Sequence, residues 1–159
     1  MGKRLLQHER SSIGGGGNHR LGTEITLLDI AREYRADENG KIDDPILRLQ
    51  LVQQEMDVAA FGETTRRIKD ETESGLTPGF ATSMIKLYGS EMNKNNTELM
   101  VSIMGPQGLG SYKDTDNFSA REQIVTAAWL GNKASTIAGG CSEVQLDIIA
   151  KRILELPNV

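Results

Sequence analysis

The sequence STIAGGCSEVQLDIIAKRILELP, residues 135–157, places two glycines directly before a segment with the spacing of an amphipathic helix. Ser142 and Gln145 have the S-x-x-Q spacing of a capping box. Apolar residues then recur at helical intervals until Pro157: Val144, Ile148, Ile149, Ile153 and Leu156. The glycines leave bare backbone at the positive end of this helix, where an electron-rich ligand could approach. On spacing alone, a glycine-rich turn joining two packed helices is the simpler interpretation.

Composition limits the remaining possibilities. Hydrophobic residues make up 38% of the 159 residues and aromatic residues only 4%, which favours packed helices with an aliphatic core. The formal net charge of −4 gives no electrostatic basis for nucleic-acid binding. No apolar run reaches the ~20 residues of a membrane span. Cys141 is the only cysteine, which suits a reducing compartment. We therefore expect a cytoplasmic protein that contacts neither nucleic acid nor membrane.

Every long segment has helical rather than strand-like spacing. A short basic helix over residues 3–12 is predicted to stop at Gly14 to Gly17, because glycine costs roughly 1 kcal/mol per position in a helix interior. Further helices are predicted over 21–35, 45–70, 79–104 and 119–138 and in the terminal segment. The direct interpretation is an all-α fold, an antiparallel helical bundle formed by residues 1–159 as a single domain.

Several helix starts and buried faces can also be predicted. Asp44–Pro45 and Thr77–Pro78 each combine an N-cap residue with a first-turn proline, and Ser119 with Glu122 forms a capping box. Helix 21–35 is predicted to bury Ile25, Leu28 and Ala31 or Arg32. Helix 45–70 is predicted to bury Leu49, Val52, Met56, Ala59 and Ala60. Helix 119–138 is predicted to pack closely through Ile124, Ala127, Ala128, Ala134 and Ala138.

The terminal stretch closely resembles the C-terminal signature of the flavin-dependent acyl-CoA dehydrogenases, I-x-G-G-T-S-E-I-Q-x-x-I-I-A-x-x-x-L-x-L-P. The matching residues are Ile137, Gly139, Gly140, Cys141, Ser142, Glu143, Val144, Gln145, Ile148, Ile149, Ala150, Leu154, Leu156 and Pro157. The resemblance extends to LLQHERSSIGGG at the start of the chain and to a K-x-x-x-S-E pattern with a following glycine turn. That pattern and turn contain Lys86, Ser90, Glu91, Gly105, Gly108 and Gly110.

The resemblance implies the C-terminal four-helix-bundle domain of this family. Family members also contain an N-terminal helical domain and a middle β-domain, which carries much of the flavin and acyl-CoA contact. We therefore expect this chain to be a fragment of a longer protein and to be inactive by itself. The expected activity of the parent is α,β-dehydrogenation of an acyl-CoA thioester with FAD as hydride acceptor.

The family needs a carboxylate base above the α-carbon of the substrate. One branch places that Glu directly before the glycine of the terminal signature, where this chain has Gly139. Another branch places it on the first helix in L-x-x-E-R, which Glu9 matches. By resemblance, Glu9 is the catalytic base, and Arg10 together with Gly139 and Gly140 binds substrate. From the residues alone, Glu9 and Arg10 are ordinary charged residues of a helix.

The resemblance also implies two sets of FAD contacts. Cys141 and Glu143 border the flavin, although the family usually has Thr at the cysteine position. A second set, usually Q-x-x-G-G-x-G, meets the adenosine end across a subunit boundary. Here it contains Ser102, Gly105 and Gly108, with Ser in place of Gln. Arg35 begins a degraded R-x-x-F-G pattern in which Asn39 stands where Phe is expected.

These departures leave two functional hypotheses. The first is a divergent catalytic subunit, and the second is a non-catalytic assembly subunit of a heteromeric acyl-CoA dehydrogenase. Either would form homo-oligomeric contacts as a dimer or tetramer, and a catalytic parent would pass electrons to an electron-transfer flavoprotein or a similar acceptor. His8 and His19 lack metal-ligand spacing, so no metal is expected.

Overall fold

The computed structural model describes residues 25–75, 81–110 and 114–157, and within these ranges it contains five α-helices and no β-strand. The helices are α1 (Leu27–Arg35), α2 (Pro45–Glu73), α3 (Ala81–Met104), α4 (Ala120–Ser135) and α5 (Ser142–Arg152), with a 3-10 turn at Gly105–Leu109. The all-α prediction is confirmed. The predicted helix over 3–12 and the glycines after it lie outside the described residues.

Local capping explains where three of the helices begin. Thr26 and Asp29 form a reciprocal capping box at α1, with an Asp29 N to Thr26 Oγ1 distance of 3.1 Å and a Thr26 N to Asp29 Oδ2 distance of 3.0 Å. Asp44 Oδ1 accepts from the N–H of Ile46 at 2.8 Å, directly before α2. Ser119 and Glu122 form the predicted box at α4. Each signal is local, because side chain and amide are within three residues.

The described residues divide into two compact units. The first contains residues 57–75, 81–92 and 134–157, and its core consists of Phe61, Ile85 and Met92, with Val58 and Ile68 packed against them. Asp57 on α2 accepts a hydrogen bond from Tyr88 on α3, while Thr64 and Met84 line the same small cavity. A later residue of α2 thus lies beside an earlier residue of α3, so the two helices are antiparallel in this unit.

The second unit contains residues 25–56, 93–110 and 114–133. Its core is aliphatic and consists of three Leu, two Met, three Ile, one Val and one Ala: Leu27, Ile30, Ala31, Ile42, Leu47, Leu51, Met100, Ile103, Met104 and Val125. Here α3 and α4 run antiparallel, since Asn132 bonds the carbonyl of Asn93 while Trp129 bonds Glu98.

The structure corrects several predicted faces. The expected stripe on α2 is exposed, with Leu49 70% accessible, and the helix buries Leu47 and Leu51 instead. On α1 the buried residues are Leu27, Ile30 and Ala31, whereas Leu28 and Arg32 are exposed. On α4, which ends at Ser135, the alanines Ala127 and Ala134 are exposed, as is Ala138 beyond its end. The helix buries Val125, Thr126 and Asn132 there.

Candidate functional site

The double-glycine turn lies directly before α5. Gly139 has φ +68° and Gly140 has φ +105°, both in the region that residues with a Cβ rarely adopt. Cys141, in an extended conformation, is the N-cap of α5, and its side chain makes no capping hydrogen bond. The predicted capping box between Ser142 and Gln145 is therefore wrong, because both side chains bond elsewhere.

Two fully buried side chains donate hydrogen bonds to the backbone carbonyls of this turn. Lys86 on α3 donates from Nζ to the carbonyl of Gly140 at 2.7 Å and to that of Thr136 at 3.2 Å. Gln145 on α5 donates from Nε2 to the carbonyls of Gly139 at 3.2 Å and Gly140 at 3.3 Å. The carbonyls of the turn thus point into the protein, which fixes the conformation of the two glycines.

A sequence signal for the role of Lys86 exists in its neighbours. Ser83 and Ser90 precede and follow it by three and four residues, and both are buried on the same face of α3. Small side chains at these positions leave room for a lysine to lie along the helix surface and reach another segment. The sequence identifies Lys86 only as part of a family pattern and does not predict its contacts.

The first turn of α5 carries two further polar contacts. Ser142 donates from Oγ to Glu91 Oε1 on α3 at 2.9 Å. Glu143 is exposed, and its pKa is lowered by a hydrogen bond from its own backbone N–H and by one from the Cys141 thiol, although the nearby charge of Glu91 opposes this. A carboxylate therefore lies at the positive end of the α5 dipole, where negative charge is stabilised.

The other predicted cofactor residues lie in the second unit, around the 3-10 turn Gly105–Leu109. Arg35 at the end of α1 donates from Nε to the carbonyl of Ile103 at 3.0 Å, close to the end of α3. Ser102 is exposed, and Gly105 has φ +61° with open space beside its Cα. The structure therefore brings Arg35 to the segment that contains Ser102 and Gly105.

Gly108 is buried in the same turn for a steric reason. A Cβ added there would lie 2.8 Å from the backbone oxygen of Val101 and 2.9 Å from its Cγ1. Because a backbone oxygen cannot move aside as a flexible side chain can, only glycine fits without shifting the turn away from α3. The glycine of the family pattern at this position thus has a packing cause.

Thr126 and Glu122 on α4 and Tyr34 on α1 form further hydrogen bonds beside this turn. The sequence does not connect these side chains with the turn. Thr126 donates to the carbonyl of Gly108 at 3.0 Å. Glu122 accepts from the Tyr34 hydroxyl at 2.7 Å. Burial raises the pKa of Glu122, but hydrogen bonds from Tyr34 and Ser119 outweigh it, so the net pKa is lowered. Burial and the bond to Glu122 raise the pKa of Tyr34.

Two of the predicted site residues lie outside the described ranges, and the others form two separate groups. Glu9 and Arg10 lie outside the described residues, so the structure says nothing of the proposed base. Gly139, Gly140, Cys141 and Glu143 are contiguous at the start of α5, and Arg35, Ser102, Gly105 and Gly108 form the second group. In the described ranges, no group of three or more His, Cys, Asp or Glu side chains could hold a metal ion. None of the helices described there combines the length and apolar character that crossing a membrane requires.

Comparison with known proteins places these features in a family. Residues 2–154 match the family described as acyl-CoA dehydrogenase, C-terminal domain, and the chain belongs to this family. A curated relative is the acyl-CoA dehydrogenase IpdE1 of Mycolicibacterium smegmatis, which is 28% identical over 147 residues. That alignment covers 89% of this chain and 34% of the relative. The chain therefore spans about a third of the relative's length.

Two solved structures share the fold. The Tcur3481-Tcur3483 steroid ACAD matches with a TM-score of 0.75 and 22% identity, covering 97% of this chain and 38% of that chain. The ChsE4-ChsE5 complex from Mycobacterium tuberculosis matches with a TM-score of 0.66 and 22% identity, covering 84% of this chain and 35% of that chain. At this identity the similarity establishes the helical fold and nothing finer.

Proposed function

We propose that this chain is the C-terminal helical domain of an FAD-dependent acyl-CoA dehydrogenase that performs α,β-dehydrogenation of an acyl-CoA thioester. The observation that carries the proposal is the family match over residues 2–154, which includes both glycine turns described above. The N-terminal and middle domains of the parent would supply the rest of the active site. The 159-residue chain alone is expected to be inactive.

The residues around the 3-10 turn suit the anionic, sugar-bearing end of FAD. The exposed guanidinium of Arg35 carries the positive charge that a phosphate requires, and Ser102 offers a hydroxyl to a ribose. Gly105 leaves open space beside its backbone, so a ligand could approach closely. Together with Gly108, these residues would hold the adenosine end, while Cys141 and Glu143 would border the flavin ring.

We assign the substrate contacts to the double-glycine turn at Gly139 and Gly140. The backbone of Gly139 and Gly140 would approach the thioester, and Arg10 would help to place the reacting groups. Glu9 would remove the α-proton, because Gly139 has no side chain to do so. When bound, FAD supplies the acceptor for the hydride that leaves the β-carbon. An electron-transfer flavoprotein or a similar protein would then collect the electrons.

A second candidate is a non-catalytic assembly subunit of a heteromeric acyl-CoA dehydrogenase. The departures at Asn39, Ser102 and Cys141 favour it, because each replaces a side chain that the family pattern uses. Both solved structures, Tcur3481-Tcur3483 and the ChsE4-ChsE5 complex, are named for two proteins each, which gives a precedent for heteromeric assembly within the fold. In either case we propose a cytoplasmic oligomer, with copies of the helical domain packed against one another.

Flavin content separates the two candidates. The full-length parent would be purified and its absorbance near the flavin maximum compared with its protein concentration. Acyl-CoA thioesters with straight, branched and steroid-derived acyl groups would then be added without oxygen. A catalytic subunit is expected to be yellow and to bleach with at least one thioester. A colourless protein that binds a yellow partner subunit would support the assembly role and exclude the catalytic one.

A further inference from the structure

The 3-10 turn Gly105–Leu109 is tied to α4 by the hydroxyl of Thr126. Thr126 is buried, and its Oγ1 lies 3.0 Å from the carbonyl oxygen of Gly108 and 3.0 Å from that of Glu122, one helical turn earlier. A hydroxyl has a single proton, so the two carbonyls share it. The bond to Glu122 is the usual contact of a threonine within its own helix, whereas the bond to Gly108 joins two separate segments.

The start of α4, one helical turn before Thr126, is fixed by its own bonds. The Glu122 carboxylate accepts from the Tyr34 hydroxyl at 2.7 Å and from the Ser119 backbone N–H at 2.6 Å. Because these donors belong to α1 and to the α4 cap, the helix that carries Thr126 is held in place beside the turn.

Packing against α3 completes the restraint. Gly108 lies so close to Val101 that an added Cβ would be 2.8 Å from the Val101 backbone oxygen. The turn is therefore packed against α3 on one side and bonded to α4 through Gly108 on the other. Gly105, at the beginning of the turn, keeps open space beside its Cα. One end of the turn is thus anchored, and the other end presents accessible backbone.

We infer that Thr126 on α4 is a positioning residue that preorganises the Gly105–Leu109 turn for the adenosine end of the cofactor. The inference rests on the proposed function, which assigns the turn to that ligand. Thr126 would not touch the cofactor. It acts through Gly108, and a turn held in one conformation binds its ligand without first losing conformational freedom.

The test compares three variants in the full-length parent. Thr126→Val removes the hydroxyl while keeping the shape of the side chain, and Thr126→Ser restores the hydroxyl. Thr97→Val is the matched control. Thr97 is also buried and bonds the Asn93 carbonyl in its own helix at 3.1 Å, and it accepts from Asn132 on α4 at 3.4 Å, without contact to the turn. Hydrogen–deuterium exchange of the amides in 105–110 is measured on the flavin-free protein, and FAD affinity by fluorescence titration.

We expect Thr126→Val to speed exchange across 105–110 by about tenfold and to weaken FAD binding by roughly threefold to tenfold, the loss typical of one hydrogen bond. Thr126→Ser should recover most of both, and Thr97→Val should change neither. Unchanged exchange in Thr126→Val, or an equal increase in Thr97→Val, would overturn the inference. Faster exchange with unaltered FAD affinity would show that Thr126 restrains the turn, but it would contradict the proposed contact between the turn and FAD.

Discussion

The Nζ atom of Lys86 lies 2.7 Å from the backbone oxygen of Gly140, which is 54 residues further along the chain. This bond connects the N-terminal part of α3 to the double-glycine turn before α5. The lysine is completely buried, so its ammonium is solvated by carbonyl groups in place of water. The conformation of the turn and the placement of this charge therefore depend on each other.

Removing the ammonium should destabilise the domain. Lys86→Met keeps the length of the side chain but leaves the carbonyls of Gly140 and Thr136 without this donor. We expect a loss of about 1–3 kcal/mol in the free energy of unfolding, measured by urea denaturation. Lys151→Met is the control, because Lys151 is an exposed lysine paired with Asp147 and should change stability by no more than about 0.5 kcal/mol. Equal effects of the two variants would contradict the prediction.

The bond between Tyr34 and Glu122 should give a pH-dependent contribution to stability. The folded-state pKa of Glu122 is lowered, so its contribution is present above the ordinary carboxyl pKa of about 4.3 and is lost as the pH falls through the folded-state value. Tyr34→Phe should cost about 1 kcal/mol at pH 7. The difference from the parent should shrink as the solution becomes more acidic than pH ~4, because the carboxylate is then protonated.

Denaturation curves at several pH values measure this dependence. A difference between Tyr34→Phe and the parent that stayed constant from pH 7 to pH 3 would show that the lost stability comes from packing alone.

Two glycines of the second unit should respond in opposite directions to alanine. Gly108→Ala places a Cβ against the backbone of Val101 and should destabilise the domain by about 1–3 kcal/mol. Gly131 lies inside α4 with open space around it, so Gly131→Ala should stabilise by about 0.5–1 kcal/mol through its higher helix propensity. Thermal unfolding of both variants gives the comparison. A stabilising Gly108→Ala would mean that the turn is not confined by α3.

The exposed apolar stripe on α2 should contribute to self-association. Its members are large, accessible and spaced at helical intervals: Ile46, Leu49, Val52 and Met56. Leu49→Lys would place a charge in the middle of the stripe and should shift sedimentation of the parent towards smaller species. Gln50→Lys, at an exposed position about 100° around the helix from Leu49 and bordering the stripe, should have a clearly smaller effect. An oligomer insensitive to Leu49→Lys would exclude this face from the interface.

The prediction for the catalytic base concerns Glu9, which lies outside the described residues. In the full-length parent, Glu9→Gln keeps the size of the side chain and removes its basicity. Flavin and acyl-CoA binding should persist, while flavin reduction slows by roughly 10²–10⁴-fold, the usual contribution of a general base. Stopped-flow absorbance measures the reduction. A variant that reduces flavin at the parent rate would place the base in another domain or a partner chain.

Local signals in the sequence determined much of the helical framework. Asp44–Pro45 and the Ser119–Glu122 box were predicted correctly, because an N-cap side chain bonds amides only two or three residues away. The glycine pairing at residues 139 and 140 likewise indicated an unusual backbone. The aliphatic composition and helical spacing were sufficient to predict an all-α fold.

The choice of buried face was decided only by the tertiary structure. On α2, Leu49 and Val52 belong to one apolar stripe, and Leu47 and Leu51 belong to another. Periodicity cannot choose between two apolar faces, since that depends on which neighbouring helices pack against them. The same limit applies to Gln145, which local spacing assigned to a cap. Its actual partners are the carbonyls of the glycine turn, whose position also depends on Lys86, because a buried amide bonds the acceptors that the folded chain brings to it.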